Sequence, residues 1–124
     1  MTKATWYKAE AFCRQFRMTL ADVPTNNVEW IKHKVNNPSA VDGKGEWYWT
    51  SATDRFVRGQ MIWMNTGQLY QNYNSSSDAS EFESCLKFSS KGDFLSESCF
   101  EENHFLCQKF LDFFPLNSRN LSKT

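Results

Sequence analysis

Residues 47–67, WYWTSATDRFVRGQMIWMNTG, hold three of the chain's five tryptophans, Trp47, Trp49 and Trp63. Aromatic and β-branched residues crowd 47–53, a polar segment 54–60 interrupts them, and Met61 to Met64 is apolar again. Asn65-Thr66-Gly67 then supplies turn chemistry. The pattern predicts two short core strands joined by a solvated loop. In the first, Trp47, Trp49 and Ser51 would share one face and Tyr48 and Thr50 the other. A large aromatic side chain buries roughly 150–250 Å², so alternate tryptophans commit this stretch to a core and the rest of the chain to covering it. Core packing, rather than direct ligand contact, is the expected role of each tryptophan.

The chain has 124 residues, the size of one domain. Its aromatic content of 16% supplies enough apolar area for a core at that size. A formal net charge of zero lacks the basic footprint of a nucleic-acid binder. No apolar run approaches the roughly 18 residues of a membrane span, and no apolar segment of a signal peptide follows Met1-Thr2-Lys3. Four cysteines at irregular spacings suit two disulfides and an oxidising compartment. The protein is therefore expected to be secreted, with any signal lying outside this sequence. A zinc site is disfavoured, because no C-x-x-C or neighbouring histidine pair occurs.

In residues 5–16, Trp6, Ala9, Cys13 and Phe16 recur at spacings of three and four, the apolar stripe of an amphipathic helix with Thr5 as N-cap. Residues 18–21 read as a short strand or extended turn. A second helix is expected from Asn26 and Glu29, a capping-box pair, with Val28, Ile31 and Val35 on its apolar face. Asn36-Asn37-Pro38 ends it, and His33 faces solvent. Residues 39–46 form a polar loop whose Gly43 and Gly45 lack the strand and helix grammar of a phosphate cradle. Residues 68–84, rich in Asn, Ser and Asp, make a long loop of the functional kind. Residues 85–88 read as a strand, 91–93 as a turn, 94–95 as the return, and 104–110 as an alternating closing strand.

These residues together resemble the C-type lectin-like domain. The resemblance rests on Trp6 and Ala9 before Cys13, Leu20-Ala21, WTSATD at 49–54, IWMNTG at 62–67, Cys85, Cys99, and FLCQ at 105–108. WTSATD and WMNTG are most similar to arthropod members, in which WTSGTD and WMSTG recur. The resemblance spans residues 5–109 and implies an α+β, C-type lectin-like fold. Two helices would pack on two small antiparallel sheets, with a long ligand loop and disulfide staples. Four cysteines allow three connectivities; the family implies Cys13–Cys107 and Cys85–Cys99. Residues 1–110 would form the single domain, with its first strand short or absent, and 111–124 a C-terminal tail.

In sugar-binding members, calcium lies between an EPN or QPD tripeptide, a glutamate just before the third cysteine, and a WND tripeptide. Carboxylate and amide oxygens suit a cation that takes six to eight oxygens. Here the tripeptide region reads SSSDAS, with Asp78 its one donor. Glu83 stands two residues before Cys85, and Phe94-Leu95-Ser96 replaces WND. An aromatic survives while both amide and carboxylate donors are lost; Asp93 or Glu97 could serve only by a shifted geometry. The expected function is a secreted recognition module that binds an extracellular protein or glycan without calcium at the usual lectin site, and without a cofactor. The alternative is a calcium-dependent carbohydrate-binding lectin using a non-standard site, with Glu83 as candidate metal ligand. Candidate ligand contacts on the loop are Tyr70, Asn72, Tyr73, Asn74, Asp78 and Glu83, although Tyr70 and Tyr73 could equally pack the loop down.

Catalysis is not expected. Neither His33 nor His104 adjoins a nucleophile motif, and the adjacent Glu101 and Glu102 do not amount to an acid–base pair. Asn74-Ser75-Ser76 and Asn120-Leu121-Ser122 are N-glycosylation acceptors, so Asn74 and Asn120 would carry glycans in a eukaryotic secretory host. With so few residues before Thr5, the closing strand is expected to expose an edge that invites pairing. A longer native N-terminus, a homodimer or the apolar tail residues Leu111, Phe113, Phe114 and Leu116 would cover it.

Overall fold

The computed structural model of the chain describes residues 3–23, 28–29, 46–73 and 83–109. Helix α1 (Trp6–Gln15) opens the fold, and Thr5 caps it, its Oγ1 accepting the Lys8 N–H at 3.2 Å. Trp6, Ala9 and Cys13 are its buried stripe, whereas Phe16, expected on the same stripe, is the C-cap and is exposed. The helix stops where Arg17 takes a left-handed conformation, φ 58°, and its N–H bonds the Arg14 carbonyl at 3.0 Å. Val28 and Glu29 are also helical; the remainder of the expected second helix lies outside the described residues.

Six strands follow: β1 (Met18–Leu20), β2 (Trp47–Thr53), β3 (Ser84–Ser89), β4 (Phe94–Ser98), β5 (His104–Phe105) and β6 (Cys107–Lys109). β1 and β6 form a two-stranded antiparallel sheet, and the others a four-stranded sheet in the order β4-β3-β2-β5. Two expectations need correction. The larger sheet is mixed, because β2 and β5 run parallel, Tyr48 opposite His104 and Trp49 opposite Phe105. The closing strand is two strands: Leu106 breaks it, and β5 joins one sheet while β6 joins the other. Part of the edge expected to be bare is paired, while β5 remains the outer strand of its sheet. β6 pairs with β1, and Ala4 makes an antiparallel bridge to Asn103 with N–H···O distances of 2.9 and 3.0 Å. The tail, residues 111–124, lies outside the described residues.

β2 is the centre of the fold, and its burial does not alternate: Trp47 and Tyr48 are both half-buried. From Trp49 to Thr53 every residue is buried, because the strand leaves its partner midway. Its register with β3 shifts between Trp49 and Thr53. Over that interval the Thr50 hydroxyl donates to the Leu86 carbonyl at 2.8 Å, and the Thr53 hydroxyl to Ser84 at 3.1 Å. The freed backbone turns elsewhere: Ser51 N–H to Ala21, and Thr53 N–H to Ile62. β-branched hydroxyls thus keep a bulged strand satisfied while it reaches a second set of partners.

The larger sheet separates two cores. Cys85 on β3 faces the α1 side with Trp6, Ala9, Cys13, Leu20, Trp49 and Phe105. Leu86 and Phe88 face the other side with Val23, Ala52, Met61 and Trp63. The disulfides Cys13–Cys107 and Cys85–Cys99 fasten the first core, tying α1 to β6 and β3 to the end of β4. No described cysteine is free.

Candidate functional site

The loop that leaves β2 is shaped by a few short-range bonds. Residues 61–64, expected as a second core strand, form only isolated bridges, Ile62 to Thr53 and Ile62 to Leu69. Met61 and Trp63 are nevertheless buried, so the apolar pattern reports burial and not strand length. The turn that follows Trp63 closes with Gly67 N–H on the Trp63 carbonyl at 2.8 Å. Gly67 has φ 77°, and an added Cβ would meet nothing within 4 Å. Its constraint is backbone conformation rather than space.

Two carboxylates fix this ribbon to the sheets. Asp22 Oδ1 accepts from the Ser51 hydroxyl, from Asn65 Nδ2 at 2.9 Å and from Asn65 N–H at 3.4 Å. The same Asn65 amide donates to Leu20 O at 2.8 Å and accepts from the Thr19 hydroxyl at 3.1 Å. Asp54 is 1% exposed. Its Oδ1 accepts the Ser84 N–H at 2.8 Å, and its Oδ2 accepts the Tyr73 hydroxyl at 3.1 Å with Arg58 Nε 3.6 Å away. Asp54 therefore joins both ends of the long loop, the exit from β2 and the entry to β3.

Between these anchors the chain turns at Gln71 and Asn72, both exposed. Tyr70 is half-buried in an aromatic row, its ring 6.2 Å from Trp63 and 5.3 Å from Phe94, with Phe94 5.0 Å from Phe88. A cleft of about 150 Å³ opens on one side, lined by Trp63, Leu69, Tyr70, Asn72 and Phe94 among others. A second, of about 140 Å³, opens on the other, lined by Gln60, Leu69, Tyr70, Gln71 and Tyr73 among others. Of the residues singled out in the sequence, the structure brings Tyr70, Asn72 and Tyr73 together here. Asn74, Asp78 and Asn120 lie outside the described residues. Leu69, 46% exposed, and Gln71 also line the clefts and were not anticipated; the turn after Gly67 was the available signal.

Glu83 stands apart from both clefts. Its carboxylate accepts the Tyr7 hydroxyl, from α1. Burial, then this carboxylate, push the Tyr7 hydroxyl up to about 12. Glu97 is engaged too, with Lys87 Nζ at 3.0 Å and Asn103 Nδ2 at 3.0 Å. Leu95 is 53% exposed and offers no oxygen from its side chain. Asp93 is exposed, and its backbone closes the turn onto Ser89. Among the described residues, no three His, Cys, Asp or Glu side chains stand close enough to hold a metal ion together. No described helix is long and apolar enough to cross a membrane.

The model of the lectin C-type domain family matches residues 2–109. Among solved structures, the chain is similar to the mouse scavenger receptor C-type lectin carbohydrate-recognition domain, with 22% identity and a TM-score of 0.64 over 86% of this chain and 81% of that one. The human counterpart is 18% identical, with a TM-score of 0.66 over 86% and 84%. An EPNH mutant of CEL-I is 16% identical, with a TM-score of 0.64 over 86% and 82%. No match was found among curated proteins. The chain belongs to the C-type lectin domain family, whose members are generally recognition modules for glycans or proteins and not enzymes.

Proposed function

We propose that this C-type lectin domain is a secreted, non-enzymatic recognition module that holds an extracellular glycan or protein ligand at the Tyr70–Tyr73 turn, without calcium at the usual lectin position. The observation that carries this reading is the pair of clefts about Tyr70. Aromatic walls with a few amide groups at the rim suit a ligand that presents an apolar face and hydroxyl or amide groups. Tyr70 and Tyr73 shape the clefts while packing against the core, and the exposed Asn72 and Gln71 supply donors and acceptors. Asn74 and Asp78, which follow in sequence, belong to the same proposed contact set, and a glycan on Asn74 would sit on this loop and block it. The likeness of WTSATD and WMNTG to arthropod members supports a domain of that type in this reading.

The described residues at the lectin cation position do not fit calcium, which takes six to eight oxygens. Leu95 offers no side-chain oxygen, Glu83 holds Tyr7, and Glu97 holds Lys87 and Asn103. No step of recognition is therefore assigned to a metal.

The test is a glycan and protein-ligand array on the secreted protein with and without EDTA, followed by calorimetry with calcium. Binding should survive EDTA and fall at least about tenfold in Asn72→Ala or Gln71→Ala, surface changes that leave the melting temperature in place. Calcium affinity tighter than about a millimolar, the weak end for extracellular modules, and abolished by Glu83→Ala, would overturn the reading.

A further inference from the structure

A second surface, sharing no residue with either cleft, is organised around Arg55. Its guanidinium carbon lies 5.2 Å from the Tyr7 ring centroid, 5.6 Å from Phe56 and 6.0 Å from Trp6. Tyr7 in turn packs on Phe100 at 5.3 Å. Phe56 is 60% exposed, Phe100 57% and Val57 46%. Three exposed apolar side chains around an arginine held on aromatic rings have the composition of an interface centre.

The charges decide the occupant. Arg55, at one end, has no carboxylate partner among the described residues. At the other end Phe100 leads into Glu101 and Glu102, both exposed and likewise without a cation partner there. Arg55 and this acidic pair stand at opposite ends of the contact series Arg55, Tyr7, Phe100. A two-fold axis near Tyr7 would lay the cationic end of one copy on the acidic end of the other, twice, while Phe56 and Phe100 meet between them. Such self-complementarity is what an isologous contact requires. We infer that a second copy of this chain docks here, forming a two-fold dimer in which Arg55 of each copy pairs with Glu101 and Glu102 of the other. Because the clefts lie elsewhere, dimer formation and ligand binding can fail independently.

Sedimentation equilibrium of the full chain up to about 1 mM tests this. A monomer–dimer equilibrium is expected. Arg55→Glu and the double variant Glu101→Arg/Glu102→Arg should each weaken it at least about tenfold, with circular dichroism unchanged. An equimolar mixture of the two variants should regain wild-type association, because each then meets its complement. A chain monomeric throughout, a dimer indifferent to either variant, or a mixture that fails to recover would each overturn the inference. A different protein binding at Arg55 without self-association would do the same.

Discussion

Replacing Asp54 by alanine would remove the side-chain bonds that reinforce the backbone bond from the Asp54 N–H to the Ser84 carbonyl across the two ends of the long loop, and the structure sets the size of the effect. Asp54 and Ser84 are 1% and 3% exposed, so water cannot replace the lost acceptor. Leaving the Ser84 N–H buried and unpaired costs about 1–3 kcal/mol. The half-buried Tyr73 hydroxyl loses its bond to Oδ2 as well, a further ~1 kcal/mol. Asp54→Ala should therefore destabilise by about 2–4 kcal/mol. Asp54→Asn should cost only ~1 kcal/mol, since Oδ1 still accepts from Ser84 and the new amide can donate to the Tyr73 oxygen. Tyr73→Phe should cost ~1 kcal/mol, and combining it with Asp54→Ala should give less than the sum by roughly 0.5–1 kcal/mol, the mark of a shared bond. Urea unfolding with the disulfides intact measures these values, read from midpoints at constant slope. If Asp54→Ala falls within about 0.5 kcal/mol of wild type, or costs no more than Asp54→Asn, the assignment of Asp54 as the loop's anchor is wrong.

Other perturbations should follow the same structure. Removing Cys13–Cys107, which spans 94 residues, should cost about 4–5 kcal/mol, against about 3 kcal/mol for Cys85–Cys99, which spans 14; comparing Cys13→Ala/Cys107→Ala with Cys85→Ala/Cys99→Ala by unfolding tests the order. Asn65→Ala should cost about 2 kcal/mol in the same assay, because Asp22 and the Leu20 carbonyl both lose its amide. Tyr7 should resist ionisation, titrating near 12 by ultraviolet difference spectroscopy, with that late step missing in Tyr7→Phe. Since its folded value lies above the ordinary tyrosine value of 10.0, its contribution to stability is complete below pH 10 and is lost as the pH rises from 10 towards 12; a stability profile no steeper over that interval in wild type than in Tyr7→Phe would contradict the Tyr7–Glu83 bond.

Much of the frame was readable because its signals are periodic and local. Trp6, Ala9 and Cys13 mark one face of a helix at any level of context, and Thr5 caps it by a bond made three residues away. The exchange of partners along β2 was not readable. Nothing in WYWTSAT announces that its second half will bond to Ala21 and Ile62, because that depends on residues far along the chain. For the same reason 104–110 looked like one strand: its alternation is continuous, and only the arrival of β1 and β2 on different sides divides it.

The site was harder, and Glu83 shows why. Its position two residues before Cys85 marked it as a cation ligand by resemblance, yet the same spacing carries a physical message. Strand side chains alternate with a period of two, so Glu83 should lie on the face of Cys85 and Lys87. That is the α1 side of the sheet, as the Tyr7 bond and the shared core of Cys85 and Trp6 attest. On β4, Leu95 and Glu97 stand opposite Lys87 and Cys85 and share that side, whereas Phe94 stands opposite Phe88 on the other. Tyr70 packs against Phe94. Glu83 and Glu97 thus lie across the sheet from the clefts. Their engagement with Tyr7, Lys87 and Asn103 stabilises the helix side without constraining the Tyr70 turn. The turn proposed as the contact site therefore rests on Asp54 and Phe94, on supports separate from those of Glu83 and Glu97.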